Sequence, residues 1–344
     1  MANVRPVVLL DPYPRHNDMI FSREQRERLQ SMVDVVTVER GPLPDAVIEA
    51  SLPRVTAILG QTALARERLE RAPNLKAILN VEGNFFPNID YPYCFARGIR
   101  VLCASPVFAQ PVAEYALALA LDLVRGTTAG DRAMREGREQ YGWRGNVGYL
   151  SLFGADVGII GFGNIARALM PLLAPFRCRV RAFDPWLPAA SLREFGAEAT
   201  DLETVLTHSR VTIILAAPTA QNRQFIGARE LACLQDGCKL IVLSRADVVD
   251  FEALNAEMRR GRIEVATDVF PEEPLPLNHP LRAVNGMLLS SHRAGGLNAA
   301  LKAIGEMAID DLSLILRGLP PVRMQSAQPE TVAMQRSKPG LFVK

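Results

Sequence analysis

Short apolar runs, rich in β-branched residues, alternate with longer charged segments along the chain. In the first part of the sequence, the runs that predict strands cover 7–10, 33–38, 55–59, 75–79 and 99–103. The segments between them are long enough for helices, and Ser22 followed by Gln25 has the spacing of a helix capping box. This alternation is typical of a parallel sheet covered by helices.

A second series of the same kind follows later in the chain. Its predicted strands cover 156–161, 179–184, 211–216, 239–243, 263–269 and 287–290. A final helix is predicted over 296–317, where a glycine and two prolines end it. The segment 111–124 is apolar on nearly every helical face, which predicts a helix buried at a domain junction or a subunit interface. The polar remainder, 324–344, is expected to be a loose tail.

Length and composition agree with two globular domains. The 344 residues exceed twice the length of one domain, which is roughly 150 residues. Hydrophobic residues make up 49% of the chain and charged residues 22%, which excludes a disordered or fibrous protein. The formal net charge of +2 is too small to hold a phosphate backbone, so nucleic acid is not an expected partner.

Membrane insertion and metal binding are not expected either. The longest apolar run, 115–121, stops at Asp122 and is much shorter than the roughly 18 residues that span a bilayer. The first residues lack the pattern of a signal peptide, so a soluble cytoplasmic protein is expected. The five cysteines form no C-x-x-C pair, and neither a metal site nor a disulfide scaffold is predicted.

A glycine-rich turn between a predicted strand and a predicted helix indicates a dinucleotide site. Gly161, Gly163 and Ala166 form a G-x-G-x-x-A pattern. Gly161 permits the tight turn, Gly163 lets the backbone approach a pyrophosphate, and Ala166 lets helix and strand pack closely. The N-H groups of the helix that starts with Asn164 and Ile165 would then bind the phosphates.

An acidic residue at the end of the next predicted strand favours one of the two nicotinamide cofactors. Asp184, followed by Pro185, lies 21 residues after Gly163, where a carboxylate accepts hydrogen bonds from the adenosine ribose. It would repel a 2'-phosphate, so NAD is predicted and NADP is disfavoured. Arg177, Arg179 and Arg181 alternate along the same predicted strand and weaken this preference for NAD, although arginines in this pattern more often form a solvated face.

In these and further motifs the chain resembles the NAD-dependent D-isomer-specific 2-hydroxyacid dehydrogenases. The resemblance runs from about residue 75 to 316 and rests on LKAILNVEGNFFPNID, RGIRV, PVAEYALALAL, VGIIGFGNIA, LSRADVVDFEAL, DVFPEEPLPLNHPL and SSHRAGG, in the family's order. It implies an α/β protein in which a Rossmann-type NAD-binding domain, 105–296, is inserted in a flavodoxin-like substrate domain, 1–104 plus 297–344. It also implies a homodimer.

The resemblance also assigns three catalytic roles. Arg245 matches the arginine that binds the substrate's carboxylate and carbonyl oxygen, a task that suits a planar, permanently charged guanidinium. His292 matches the acid/base that moves a proton while hydride is transferred to a 2-oxo acid. Glu273 matches the carboxylate that fixes the imidazole tautomer and favours its charged form. Formate dehydrogenase-like relatives, which move no proton, have glutamine at the position of Glu273, so the resemblance implies hydroxyacid chemistry here. Glu272 is the alternative partner of the histidine.

Further residues are assigned to the cofactor and the substrate in the same way. Asp268 would face the nicotinamide carboxamide. The other residues implied to line the cofactor cleft are Ala217, Pro218, Ser244 and Gly295. The family's glycine-rich turn, which offers N-H groups to the substrate carboxylate, corresponds to Gly83 and Asn84.

The departures from the family pattern concentrate at the substrate. The substrate turn has one extra residue, and Glu82 would repel an acid if it pointed inward. Phe85 and Phe86 are either core residues or indications of a bulkier substrate. Arg293 stands beside His292. Three functions therefore stay open: a dehydrogenase of an unidentified 2-hydroxy acid, an NAD(H)-sensing, corepressor-like binding protein without turnover, and a dehydrogenase that oxidises a small inorganic or one-carbon acid.

Overall fold

The chain folds into two compact units, as seen in a computed structural model that describes residues 5–334. Unit 1 comprises the residues up to Phe108 and those from Gly296 onward, and unit 2 comprises Ala109–Gly295. Each unit is built on one sheet with flanking helices, which confirms the predicted α/β class.

The strands follow the rhythm of apolar runs in the sequence. They are β1 (Val7–Asp11), β2 (Asp34–Val36), β3 (Val55–Gly60), β4 (Ala77–Asn80), β5 (Arg100–Cys103), β6 (Asp156–Ile160), β7 (Arg179–Phe183), β8 (Glu198–Ala199), β9 (Val211–Ile214), β10 (Cys238–Val242), β11 (Ile263–Thr267), β12 (Met287–Leu289) and β13 (Gln325–Ser326). Every predicted strand is present. The strands that the pattern missed, β8 and β13, have two residues each and are too short to show a period.

Helices of very different length connect these strands. They are α1 (Asn17–Ile20), α2 (Arg23–Met32), α3 (Asp45–Ser51), α4 (Arg66–Glu70), α5 (Tyr91–Ala96), α6 (Ser105–Arg125), α7 (Thr127–Arg135), α8 (Asn164–Leu173), α9 (Ala189–Arg193), α10 (Leu202–His208), α11 (Ala228–Ala232), α12 (Phe251–Arg259), α13 (Asn298–Leu316) and α14 (Pro329–Val332). Short 3-10 helices cover Gly142–Asn146, Ala174–Phe176, Ala246–Val248 and Pro280–Ala283. The predicted capping box is present at the start of α2, where Ser22 and Gln25 bond each other's backbone N-H groups.

The sheet of unit 1 has the order β13-β5-β4-β3-β1-β2. The strands β1–β5 are parallel, and β13 is antiparallel to β5. Apolar side chains of β1, β3 and β4 pack on one face against α13, with Ile304 and Leu312 fully buried. Because α13 belongs to the returning end of the chain, both segments of unit 1 are needed for its core.

The predicted loose tail is wrong for residues 324–334. Met324, Ala327 and Val332 are all less than a tenth exposed, and α14 follows β13. Asp311 on α13 explains the order, because its fully buried carboxylate accepts hydrogen bonds from three successive N-H groups at 322–324. Residues 335–344 of the predicted tail lie outside the described residues.

The long helix α6 extends the predicted segment at both ends and passes through Pro111. The predicted segment began at this proline, whereas the helix in the structure begins six residues earlier, at Ser105. Among residues 5–334, α6 is the one helix long and apolar enough to cross a bilayer, with a mean hydropathy of 1.5. Ala113, Ala116 and Ala120 are fully buried, as in a helix at the core of a folded protein.

The sheet of unit 2 has the order β12-β11-β10-β9-β6-β7-β8, and all of its strand pairs are parallel. The chain reverses its direction of winding between β6 and β9, the arrangement of a Rossmann sheet. Ligands of such sheets bind beyond the carboxyl ends of the strands at this reversal. The predicted cofactor residues follow β6, β7, β9, β10, β11 and β12, so they share this edge.

Candidate active site

The turn after β6 has the geometry of a phosphate-binding loop. Gly161 has φ +89°, and a Cβ there would stand 2.5 Å from the backbone N and Cα of Ala216. A Cβ on Gly163 would meet no atom within 4 Å, so this residue borders open space. Ala166 is fully buried beneath the turn. The turn therefore requires glycine at 161 for its own fold and leaves room at 163 for a ligand.

The start of α8 is left without a side-chain cap. Gly163 is the N-cap residue and has no side chain to accept from the first N-H groups. The helix continues for ten residues from Asn164, with Ile165 in its first turn, so its positive dipole end faces the same open space. This arrangement suits the pyrophosphate of a dinucleotide.

Asp184 lies beside this turn. Its Oδ2 accepts from the Phe162 N-H at 2.7 Å and its Oδ1 from the Trp186 N-H at 2.9 Å. Pro185 lies between Asp184 and Trp186. These bonds fix the carboxylate against the glycine-rich turn, where it can accept from a ribose hydroxyl.

The neighbouring arginines on β7 are engaged with acids. Arg179 and Arg181 both donate to Asp156, and Arg181 also pairs with Glu198 at 3.4 Å. The hydrogen bond from Arg179, opposed by partial burial, lowers the pKa of Asp156 to about 2, and the bond from Arg181 adds to the effect. The arginines therefore have a local structural role on the sheet.

A histidine and a glutamate meet at the carboxyl ends of β11 and β12. The Nδ1 atom of His292 and Oε2 of Glu273 are 2.6 Å apart, and Oε1 of Glu273 accepts from the Phe270 N-H at 2.9 Å. Burial favours a higher pKa for Glu273, but the bond to His292, the Phe270 N-H and the charge of Arg245 together lower it. Glu273 is thus held as a carboxylate, and Glu272, the alternative partner, is exposed.

The loop that carries His292 is built around Asp268. This residue is 1% exposed, and its carboxylate accepts from the Ser290 hydroxyl and from the N-H groups of Arg293 and Ala294. His292 itself has φ +51°, a left-handed conformation that non-glycine residues seldom adopt. By these hydrogen bonds Asp268 fixes the backbone conformation of the loop and, with it, the orientation of the His292 imidazole. Its predicted contact with a nicotinamide carboxamide stays a prediction.

Two residues at this loop were not found by sequence reasoning. The hydroxyl of Tyr115 on α6 lies 2.8 Å from the hydroxyl of Ser290, which in turn donates to Asp268. Tyr115 is 175 positions away from Ser290 and lies in an apolar run, so its pattern indicated only a buried helix. The hydroxyl contact between Tyr115 and Ser290 therefore connects the loop after β12 to α6.

Arg245 and Ser244 follow β10 at the same edge. Arg245 is half-buried and donates from Nη1 to the Ser244 carbonyl at 2.7 Å. Its charge contributes to the lowered pKa of Glu273, so it acts on the His292–Glu273 pair. The Ser244 hydroxyl is buried and has no hydrogen-bond partner within the described part of the chain.

The remaining predicted cofactor residues occupy neighbouring strand ends. Ala217 follows β9 and is exposed, and its carbonyl accepts from the Asn222 amide at 2.8 Å. Pro218 is buried beside it, and Gly295 closes the histidine loop before unit 1 resumes. Within residues 5–334, no three His, Cys, Asp or Glu side chains are grouped so as to hold a metal ion.

The predicted substrate residues Gly83 and Asn84 lie in unit 1, in the loop after β4. Glu82, which raised the expectation of repulsion, is buried and carries a bidentate ion pair with Arg15. Phe85 and Phe86 are each 4% exposed and belong to the interior of unit 1. The structure therefore favours the core interpretation of these two aromatic residues.

A Rossmann sheet with a histidine, a carboxylate and an arginine at its carboxyl edge defines a class of nicotinamide-dependent oxidoreductases. A model of the NAD binding domain of the D-isomer specific 2-hydroxyacid dehydrogenases matches residues 117–294. The chain belongs to this family, as the motifs predicted. It is an oxidoreductase that acts on 2-hydroxy acids with a nicotinamide dinucleotide.

Individual relatives support this assignment. The chain is 32% identical over 263 residues to a glyoxylate reductase of Thermofilum pendens, with 74% of this chain and 76% of that one covered. A solved phosphoglycerate oxidoreductase from Rhizobium etli is 44% identical, with a TM-score of 0.85, covering 95% of this chain and 100% of that one. A D-mandelate dehydrogenase of Rhodotorula graminis, 18% identical with a TM-score of 0.77 over 94% and 98% of the two chains, shares the fold.

Proposed function

We propose that this protein is an NAD-dependent reductase of a small 2-oxo acid, with the 2-hydroxy acid as the reverse substrate. His292 is the acid/base, Glu273 is its carboxylate partner, and Arg245 binds the substrate's carboxylate. The observation that carries the proposal is the 2.6 Å contact between His292 Nδ1 and Glu273 Oε2. A neutral or charged imidazole bound this way through Nδ1 leaves Nε2 to exchange a proton with substrate.

The chemistry needs two transfers to one carbonyl group. A bound, reduced nicotinamide dinucleotide would supply the hydride for the carbonyl carbon. The imidazolium of His292 gives its Nε2 proton to the carbonyl oxygen, and the product is the 2-hydroxy acid. In the reverse direction, neutral His292 takes the hydroxyl proton, and the oxidised dinucleotide, when bound, would accept the hydride. Glu273 stabilises the charged imidazole in both directions, and the Arg245 guanidinium holds the carboxylate so that the reacting carbon is correctly oriented.

The chain's residues fit a bound dinucleotide. Gly163 borders open space, and the first turn of α8 faces it without a side-chain cap. The residues proposed to hold the cofactor are Gly161, Gly163, Asn164, Ile165, Asp184, Pro185, Ala217, Pro218, Ser244, Asp268 and Gly295. NAD is preferred over NADP in this proposal, because Asp184 lies at the turn and Arg179 and Arg181 are paired with acids. Titration of the cofactor site with NADH and NADPH tests the preference.

The substrate domain is proposed to be 1–104 plus 297–344, and the NAD-binding domain 105–296. In this assignment Gly83 and Asn84 offer backbone groups to the substrate's carboxylate. The glyoxylate reductases and the phosphoglycerate oxidoreductase among the relatives support a small acid as substrate.

A substrate panel tests the proposed function. The purified protein is incubated with NADH and, in separate reactions, with glyoxylate, hydroxypyruvate, its phosphate ester, pyruvate and an aromatic 2-oxo acid, while the nicotinamide absorbance is followed. Loss of NADH that depends on one of these acids, with formation of the 2-hydroxy acid, supports the proposal. Tight NADH binding without turnover on any acid contradicts it and favours the NAD(H)-sensing, corepressor-like alternative.

We further propose a cytoplasmic homodimer formed through unit 2. The segment that follows α6 exposes several large apolar side chains, of which Tyr141, Trp143 and Val147 are 70–75% exposed. Helix α7 buries none of its residues within this chain. Such a surface is typical of a subunit interface. Light scattering of the wild-type protein and of Trp143→Glu tests the dimer.

All five cysteines are free thiols, which suits the reducing cytoplasm.

A further inference from the structure

Glu82 places a carboxylate within the loop that the proposed function assigns to an acidic substrate. The residue lies between β4 and Gly83, and it is 6% exposed. An unpaired negative charge there would oppose the binding of a 2-oxo acid by direct repulsion. Something in unit 1 must therefore balance this charge if the loop is to receive a carboxylate.

Arg15 supplies the balancing charge. Its Nε donates to Oε1 of Glu82 at 2.8 Å and its Nη2 to Oε2 at 2.7 Å, a bidentate ion pair. The side chains of Arg15 and Glu82 are 1% and 8% exposed, so solvent screens the pair very little. Arg15 follows β1 and Glu82 follows β4, so the pair reaches past the intervening β3.

The rest of the loop is held to the same cluster. The Glu82 N-H donates to Oδ1 of Asn80 at 2.8 Å, and the Glu82 carbonyl accepts from the Ala104 N-H at 2.8 Å. The Asn80 amide donates to the Asn84 carbonyl at 3.1 Å. Oδ1 of Asn80 also accepts from Gln61, which follows β3.

Phe108 joins the ion pair to Gly83. The Arg15 guanidinium carbon lies 5.7 Å from the centre of the Phe108 ring. The same ring would stand 3.1 Å from a Cβ on Gly83. The guanidinium, the ring and the loop therefore form one packed assembly in unit 1.

We propose that Arg15 is a positioning and specificity-determining residue for the acidic substrate. It fixes the Val81–Asn84 loop through Glu82 and cancels the charge of Glu82, so that the loop can accept a carboxylate. This inference rests on the proposed function, because it takes that loop to be the one that receives the substrate. Cofactor binding, which uses unit 2, does not depend on the ion pair.

The test compares variants in the reaction of the full-length protein with its best 2-oxo acid and NADH. Arg15→Met leaves the carboxylate of Glu82 unpaired, and the KM for the acid rises at least tenfold while the Kd for NADH stays within twofold. Glu82→Gln removes the negative charge, and KM stays within threefold of wild type or falls. Arg15→Met combined with Glu82→Leu replaces the ion pair by two packed apolar side chains, which hold the loop without a charge, and restores KM to within threefold.

A purely structural ion pair gives a different result. Both single variants would then raise KM alike, or lower thermal stability without changing KM, and either outcome overturns the inference. Arg23→Met is the matched control, because Arg23 pairs with Glu27 on an exposed helix face of the same unit and its loss should change no kinetic constant.

If Arg15→Met does not fold, Arg15→Lys replaces it as the test variant, because lysine keeps the charge but loses the bidentate geometry. A KM for Arg15→Lys that rises more than twofold but less than tenfold supports the inference, and an unchanged KM overturns it.

The outcomes separate this inference from the proposed function. A wild-type protein that turns over no 2-oxo acid overturns both. A wild-type protein that reduces an acid, together with an Arg15→Met variant of unchanged KM, overturns the role of Arg15 alone.

Discussion

Gly161 and Gly163 lie two residues apart in the same turn, yet replacing each by alanine should damage different properties. At Gly161, alanine must adopt φ +89°, which costs about 1–2 kcal/mol for an L-residue. Its Cβ must also push away the Ala216 backbone from 2.5 Å, which costs about 1–3 kcal/mol more. Gly161→Ala should therefore lower the free energy of unfolding by about 2–5 kcal/mol, or Tm by roughly 4–20 °C for a unit of this size.

At Gly163 the same substitution should leave the fold intact. The residue has φ −81°, and the added Cβ meets no atom within 4 Å, so stability should change by less than about 0.5 kcal/mol. The methyl group instead fills the space proposed for the pyrophosphate. Loss of one charge-assisted hydrogen bond costs about 1.5–3 kcal/mol, which corresponds to a roughly 10- to 150-fold rise in the Kd for NADH.

Thermal denaturation and NADH fluorescence titration of the two variants check both values. Each variant serves as the control for the other, because they differ only in where the methyl group points. A Gly163→Ala protein that binds NADH as tightly as wild type would show that no phosphate lies against this turn. A Gly161→Ala protein of wild-type stability would refute the steric reasoning.

Three further predictions follow from other contacts. Arg245→Lys should lower kcat/KM for the 2-oxo acid at least 100-fold, with NADH affinity unchanged, because bidentate geometry is lost; unchanged kinetics would remove Arg245 from the site. Asp311→Ala should lower the free energy of unfolding by about 2–4 kcal/mol, since three N-H groups at 322–324 lose their buried acceptor; denaturant titration measures the loss, and a change below about 1 kcal/mol would contradict it. Because the folded pKa of Asp156 is about 2, below its ordinary value of 3.8, its stabilisation is complete above about pH 4 and is lost as the pH falls toward 2. The stability difference between wild type and Asp156→Asn should therefore shrink as the pH falls below 4, and a difference that is independent of pH would refute the assignment.

Local patterns predicted the strands and the nucleotide turn because their causes are local. The roles proposed for Gly161, Gly163 and Asp184 depend on one strand, one turn and the next strand, and the spacing of these residues is enough to predict them. Short β8 and β13 could not be found, because two residues show no period. The prediction of a loose tail is wrong for residues 324–334, because their order depends on the buried Asp311 of α13, and nothing in the sequence at 322–324 indicates this contact.

The candidate site also contains residues that the sequence predicts and contacts that it cannot predict. The family motifs indicated His292 and Glu273, and the structure brings the two side chains together. Arg15 could not be paired with Glu82 from sequence, because 67 positions and the strand order of unit 1 separate them. Tyr115 was likewise hidden within an apolar helix.

The acid/base role of His292 is tested most directly by one variant. His292→Gln is mixed with NADH and the best 2-oxo acid, and the rate of hydride transfer and the Kd for NADH are both measured. If His292 is the acid/base, the rate falls about 10²- to 10⁴-fold while NADH binding stays within twofold of wild type. A variant that reduces the acid at more than a tenth of the wild-type rate would show that another group delivers the proton.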